Sequence, residues 1–428
     1  MSANALLLQG PVGPFFQRLA KQLRRQGFRV YKINFNGGDA LFYRRGAISY
    51  RGDLAQWPGF FEEKLKTLAI DRVYLSGACR PYHAIARSVT LRQAIPTFVF
   101  EEGYLRPDYI TMEQVAPNGA SLMPRDPQFY RDLAATEPVP ARSVGRTFGA
   151  MATYAIAYYI AARLWWRQYR HYQHHRPFNL FGEGSKWLLS ALSKLRHQIR
   201  ERHIQVRLQT VPKGQIYLVP LQVHCDTSVV HRSPFGGVSP FVETVVASFA
   251  RHAPAETVLV IKHHPLDRPY RDYTRLIESL GQRYSLEGRL LYVHDLHLPT
   301  LLQQARGTVV INSTVGLSSL YHGTPVKVLG EALYDIPGLT FQADLDDFWC
   351  SPGVVDRALF RRFRAHLLAE TQINGNFYQR LANTGNPMGV AWPDTKLQYP
   401  KAQLGRSSPL LAFNSVGQEV ESYSFLEK

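Results

Sequence analysis

Two separate series of short apolar runs, each run followed by glycine or polar residues and then by a helical pattern, constrain this chain more than any other feature. The first series holds ALLLQG (5–10), FRVYKINF, DRVYLSG (71–77) and PTFVFEEG (96–103). Between its runs lie a helical pattern with Phe16, Leu19 and Leu23 on one face, stopped by Gly27, and another over 83–94. The second series holds IYLVPLQV (216–223), VLVIKHHP (258–265), LLYVHD (290–295), GTVVINST (307–314) and PVKVLG (325–330), separated by helical patterns at 240–252, 270–281, 298–305 and 315–322. Runs of this length are strands buried on both faces, and their alternation with helices predicts parallel sheets covered by helices. The fold class is therefore α/β, with two Rossmann-like doubly wound domains. Polar residues at the carboxyl ends of both sets of strands predict a ligand site in a cleft that the two domains face.

The divisions expected are 1–140 for the first Rossmann-like domain, 141–213 for a helical basic and aromatic insertion, 214–360 for the second Rossmann-like domain, and 361–428 for a helix and tail. Of the formal charge of +17, a net +11 falls between Arg142 and Lys213, where 13 Lys and Arg meet only Glu183 and Glu201. Such a segment seeks anions: nucleic acid, lipid headgroups or a phosphorylated substrate. Nucleic acid is not expected as a partner, because the charge is concentrated in one segment without a recognition motif. Residues 147–162 carry no charge but fall short of the ~20 apolar residues of a membrane span. The RLWWRQYRHYQHHRPF that follows interleaves cations with aromatic rings, which fits a helix at a membrane interface and equally an internal helical hairpin. A further helix over 185–207 lines up Leu188, Leu192, Leu195 and Ile199, a stripe expected to join a core. Cys79, Cys225 and Cys350 stand far apart, so neither disulfides nor a zinc site is expected, and the start of the chain lacks the pattern of a signal peptide.

Three motifs stand at strand ends. Glu101-Glu102-Gly103 puts two carboxylates and a turn-forming glycine after TFVF, and at least one acid is available as base, acid or nucleophile. Lys262-His263-His264-Pro265 supplies hydrogen-bond donors suited to phosphate; consecutive side chains on a strand diverge, which disfavours metal. Asn312-Ser313-Thr314 precedes a helical pattern, which makes either a plain N-cap or an anion site. Anion donors on one domain and an acidic pair on the other are the parts that transfer from a nucleotide-sugar requires.

The order EEG, HP, ST resembles the D/E-D/E-G, HP and S-S/T motifs of bacterial transferases that use CMP-activated acidic sugars. The longer strings LQGPVGPFF, FEEGYLRPDYIT, PLQVHCDT, KHHPLD, INSTVGLSSLYHGTPVKVLG and ALYDIPGLT resemble the capsule polysaccharide β-Kdo glycosyltransferases of the KpsS/LipB type, over most of residues 5–340. The resemblance implies a GT-B-like layout, with the acceptor on the first domain and the CMP-sugar on the second. It implies retaining transfer of Kdo, an eight-carbon acidic ketose, from CMP-Kdo to lyso-phosphatidylglycerol, starting a poly-Kdo linker for capsule polysaccharide. Glu102 matches the presumed catalytic carboxylate, His264 and Pro265 the residues that contact CMP, and Ser313 and Thr314 the hydroxyls that bind its phosphate. Glu stands where related sequences have Asp, so nucleophile and base both stay open for Glu102.

Chemistry and proximity add Gln9, Gly10, Glu101, Gly103 and Arg106 on the substrate side, with Arg106 suited to a sugar carboxylate. On the donor side they add Gln222 and Asp226 for cytidine or ribose and Lys262 and Lys327 for phosphate. Gln9, Gly10, Arg106, Gln222, Asp226 and the two lysines read equally well as turn or surface residues. No cofactor and no metal are expected, since no DxD-like pair occupies a strand end. Expected partners are the CMP-sugar donor, a lysophospholipid acceptor, an anionic inner-membrane surface and other capsule synthesis or export proteins; the expected location is cytoplasmic, peripheral on the inner face of the inner membrane. The alternatives are transfer of another CMP-sugar, such as a sialyl donor, and a non-catalytic scaffold for capsule assembly and export.

Overall fold

The computed structural model describes residues 3–115, 117–174, 193–194, 196–224, 229, 232–392, 412–413 and 419–420. The chain forms two compact units: Met1–Leu122 with Pro138–Phe178 and Leu367–Lys428, and Met123–Glu137 with Asn179–His366.

Among the described residues the first unit has a sheet of seven strands: β1 (Asn4–Leu7), β2 (Arg29–Asn34), β3 (Ile48–Ser49), β4 (Arg72–Ser76), β5 (Thr97–Glu102), β6 (Tyr109–Gln114) and, from the far end of the chain, Gln372–Asn374. Their order places β1 centrally, with β2 and β3 on one side and β4, β5, β6 and Gln372–Asn374 on the other. β1 to β5 pair in parallel, whereas β6 pairs antiparallel with β5 and with the last strand. Successive side chains on a strand face opposite ways. Ala5, Leu7, Tyr74, Phe98 and Phe100 accordingly enter one apolar cluster, and Leu6, Leu8, Val73, Leu75 and Val99 enter another. This sheet is thus apolar on both faces, as a doubly wound unit requires.

Residues beyond 366, expected as helix and tail, do more than trail. Gln372–Asn374 extends the sheet, and Ile373, Phe377, Met388, Val390 and Trp392 join the first cluster. A three-residue strand directly after the helix Arg357–Thr371 is too short to show a period of its own.

The second unit carries β7 (Ile216–Pro220), β8 (Val258–Lys262), β9 (Leu290–Val293), β10 (Ala305–Val310) and β11 (Val326–Val328), all parallel, in the order β11-β10-β7-β8-β9. Tyr217, Val219, Leu259 and Ile261 fill one cluster while Ile216, Leu218, Val258 and Val260 fill the other. Both units therefore have the expected Rossmann-like plan. In each, strand order reverses beside the first strand, and the carboxyl ends at that reversal are where such sheets bind ligands.

From the basic segment, the helix Phe148–Leu164 packs onto the first unit through buried Tyr158 and Ala161. It approaches so closely that a Cβ at Gly37 would run into the Ala161 carbonyl and one at Gly38 into the Tyr158 ring. Among the described residues no helix is long and apolar enough to cross a membrane. Leu188, Leu192 and Leu195 lie outside the described residues; Ile199, assigned to the same core stripe, is 65% exposed and does not join a core.

Candidate active site

At the carboxyl ends of β1, β2, β4 and β5, the first unit gathers the acidic motif and a buried polar network. Glu101 and Glu102 end β5 and point to opposite sides, so they take different tasks. Glu101 accepts a hydrogen bond from the Ala78 N–H at 3.1 Å, tying the end of β5 to the loop after β4. Glu102 is the exposed member of the pair. Surrounding protein nevertheless strips water from its carboxyl and raises the pKa above the usual carboxylate range, while the Arg106 guanidinium and a hydrogen bond from the Tyr378 hydroxyl draw it back down. Arg106 is itself exposed and also donates to the Gly103 carbonyl, at 3.3 Å. Gly103 is obligatory, since a Cβ there would overlap the Tyr109 carbonyl as the chain turns from β5 into β6. Tyr378 escaped the sequence reading because nothing near position 378 signals chemistry.

Gln9 takes a structural task rather than an open one. It is 4% exposed, and its Nε2 donates to Tyr158 Oη at 2.7 Å and Tyr172 Oη at 3.1 Å. Asn36 also donates to Tyr158 Oη, at 2.7 Å, and Asp39 accepts from the Phe35 N–H at 3.0 Å. Gln9 thus belongs to the hub that fastens the helix Phe148–Leu164 to the sheet. Within the same hub, burial pushes the Lys32 ammonium down to about 8, against the pull of Asp39. Gly10 has a close-approach role: a Cβ would lie 2.7 Å from the Phe16 ring, and its carbonyl accepts from Arg80 at 3.2 Å.

The second unit gathers the anion motifs at the ends of β7, β8 and β10. Gln222 and Asn312 each lie two residues past their strands and exchange two hydrogen bonds, Gln222 Nε2 to Asn312 Oδ1 at 2.9 Å and Asn312 N–H to Gln222 Oε1 at 3.3 Å. This bridge holds together the reversal point between β7 and β10. Ser313 and Thr314 follow it directly and are half-buried before the helix Val315–His322. Ser313 Oγ accepts from the Val315 N–H at 3.2 Å, whereas Thr314 makes no side-chain capping bond to the helix. The capping alternative thus holds through Ser313 and not through Thr314.

In the Lys262–Pro265 motif the neighbours diverge, as strand geometry requires. Lys262 is buried and donates to the His294 carbonyl at 2.9 Å; burial lowers its pKa. His263 is 1% exposed, bonded through Nδ1 to the Tyr292 hydroxyl at 2.6 Å, and burial pushes it down to about 3, so it stays neutral. His264 is half-buried, and its Nδ1 accepts from the Leu266 N–H at 3.2 Å, which leaves the proton of the neutral ring on Nε2. Pro265 is exposed. Lys262 is thus committed to backbone, and His264 is the member suited to a ligand. Lys327, expected beside the phosphate, sits mid-strand in β11 with its ammonium on the Ala343 carbonyl at 2.5 Å. A strand residue paired in the middle of the ladder does not reach the carboxyl-end cluster. Asp226 lies outside the described residues.

His197, Glu201 and His294 bring possible metal-ligand atoms within 4.8 Å of one another. Glu201, however, already accepts from the backbone N–H groups of His294 at 2.6 Å and Asp295 at 2.9 Å and from His294 Nδ1 at 3.0 Å. The His197 and His294 rings stack 3.7 Å apart at 18°, so their in-plane lone pairs run side by side instead of converging. Glu201 acts as a bracket for the end of β9.

The family model described as capsule polysaccharide biosynthesis protein matches residues 71–378. The chain is 42% identical over 386 residues to the capsule polysaccharide modification protein LipB of Neisseria meningitidis serogroup A, covering 88% of this chain and 92% of that protein. It is 38% identical over 374 residues to the capsule polysaccharide export protein KpsS of Escherichia coli, covering 87% and 96%. Among solved structures, the β Kdo 2,7 transferase of Thermosulfurimonas dismutans KpsC aligns over 89% of this chain and 94% of that one, at 15% identity and a TM-score of 0.41.

Proposed function

The chain belongs to the capsule polysaccharide biosynthesis protein family, and from that premise we propose that it is a retaining glycosyltransferase that moves Kdo from CMP-Kdo to lyso-phosphatidylglycerol in β linkage. The product starts a poly-Kdo linker to which capsule polysaccharide is attached. The observation that carries this reading is the cluster at the reversal point of the second sheet, where Gln222 and Asn312 lock the backbone from which Ser313 and Thr314 project. Hydroxyls, helix N–H groups and the Nε2–H of His264 are donors for a nucleotide phosphate.

In this reading CMP binds at the carboxyl ends of β7, β8 and β10, and Glu102 is the reacting carboxylate. The bond from the anomeric carbon to phosphate oxygen breaks and its electron pair leaves with CMP. Donors on the phosphate stabilise the charge that departs. Glu102 captures the anomeric carbon from the opposite face, and the acceptor hydroxyl displaces it in a second inversion, its proton passing to water, so configuration is retained. The Arg106 guanidinium suits the carboxylate of an acidic sugar. A folded Glu102→Gln protein that transferred Kdo at the wild-type rate would falsify the assignment.

The proposed location is the inner face of the inner membrane. It draws support from the outward side of the helix Phe148–Leu164, where Phe148, Ile156, Ile160 and Leu164 are 63%, 60%, 44% and 73% exposed. Trp166 follows, with the guanidinium groups of Arg163 and Arg167 both 5.9 Å from its ring. Apolar side chains beside cations match the boundary between acyl chains and anionic headgroups.

A further inference from the structure

His224, from the string PLQVHCDT, and Asp267, which ends the string KHHPLD, form a second histidine site. His224 stands four residues past β7, and Asp267 ends the turn that follows Lys262–Pro265. Asp267 is fully buried and holds His224 at two points: one carboxylate oxygen accepts from the His224 backbone N–H at 3.1 Å, and the other pairs with His224 Nδ1. The Asp267 backbone is fixed in turn, its N–H donating to the His264 carbonyl at 2.9 Å and its carbonyl accepting from the Tyr270 and Arg271 N–H groups. The Tyr273 hydroxyl completes the set with a hydrogen bond to Asp267. A carboxylate on Nδ1 sets the tautomer and ring orientation, leaving Nε2 as the outward nitrogen of a side chain that is 27% exposed. A fully buried acid that holds one partly exposed imidazole at two points is more than a surface ion pair needs.

We propose that His224, positioned by Asp267, is a catalytic residue that takes the donor phosphate on its Nε2–H and protonates the departing CMP. This rests on the reading of the second unit as the CMP site. When the anomeric carbon–oxygen bond breaks, its electron pair stays on the phosphate oxygen, and the proton on Nε2 of the imidazolium moves to that oxygen. Nδ1–H remains on Asp267. CMP leaves with the proton, and water reprotonates the neutral ring. His264 and His224 then divide the work: His264 donates to the phosphate, its Nδ1 being occupied by the Leu266 N–H, and His224 transfers the proton. Among the described residues, the groups facing His224 are Asp267, Tyr270, whose ring lies 6.0 Å away, and, behind Asp267, Tyr273.

Calorimetric titration of the full chain with CMP between pH 7 and 8.5 tests this, because the monophosphate, with its second pKa near ~6, is already a dianion there and any pH dependence belongs to the protein. Wild-type affinity falls as pH rises, with uptake of a proton on binding. His224→Gln binds about tenfold more weakly at pH 7 and loses both the pH slope and the proton uptake. Asp267→Asn, which keeps the shape but not the charge, loses the slope while its melting temperature reports on folding, so a positioning role separates from a merely structural one. Unchanged affinity and slope in His224→Gln overturn the dyad and leave the proposed function standing. Failure of the wild-type chain to bind CMP at millimolar concentration overturns both.

Discussion

Gln222 and Asn312 exchange two hydrogen bonds, of 2.9 and 3.3 Å, across the strand pair β7 and β10, where chain order in the second sheet reverses. Because both amides are buried, removing either one leaves its partner short of a bond in a place water reaches poorly. Gln222→Ala is therefore expected to weaken CMP binding by about tenfold and to lower stability by about 1–2 kcal/mol. Calorimetry and thermal melting measure the two effects. Wild-type affinity in this variant would remove the bridge from the donor site.

The Tyr378 hydroxyl donates to Glu102, and that bond favours the ionised carboxylate. Tyr378→Phe removes the bond and raises the Glu102 pKa further. An anionic nucleophile then forms only at higher pH, so the acid limb of the kcat/KM profile moves upward and activity at pH 6 falls more than activity at pH 8. A downward move, or no move, contradicts the role given to the pair.

Tyr158 accepts from Gln9 and Asn36, both at 2.7 Å, inside the hub beneath the helix Phe148–Leu164. Tyr158→Phe takes one acceptor from each of two buried amides, although Gln9 keeps Tyr172, and is expected to cost about 2 kcal/mol. Gly38→Ala drives a methyl group into the Tyr158 ring and lifts the same helix. Limited proteolysis reads both, with cleavage around the helix appearing sooner than in wild type.

Ile156 and Ile160 lie on the opposite side of that helix, largely exposed. Replacing both with Ser leaves the melting temperature within a degree or two but reduces co-flotation with vesicles of anionic phospholipid. Replacing Arg163 and Arg167 with Gln reduces it too, and more at low salt than at high. Equal flotation of all these variants would place the membrane contact elsewhere.

Much of the architecture was legible because buried parallel strands advertise themselves as apolar runs. ALLLQG, DRVYLSG and VLVIKHHP each became a strand with its polar residues at the carboxyl end. Local patterns also located Glu102, His264 and the Ser313–Thr314 pair at strand ends. What stayed hidden depends on residues far apart in the chain. His224 and Asp267 meet across 43 positions and Gln9 and Tyr158 across 149, and no short-range period records such a meeting. Lys327 illustrates the opposite failure: a cation near a motif in sequence attracted a phosphate role, although its place in the ladder commits it to the Ala343 carbonyl. Gly37 and Gly38 carry no pattern of their own, yet their missing side chains are what let a helix approach.

Mass spectrometry of lyso-phosphatidylglycerol incubated with CMP-Kdo and the full chain is the most direct test of the transferase assignment. Acceptor species heavier by one or more Kdo units are expected, with CMP released in step, and a loss of at least about a thousandfold in rate for Glu102→Gln while CMP binding persists. An acceptor of unchanged mass beside intact CMP-Kdo, under conditions where the protein is folded, would contradict it.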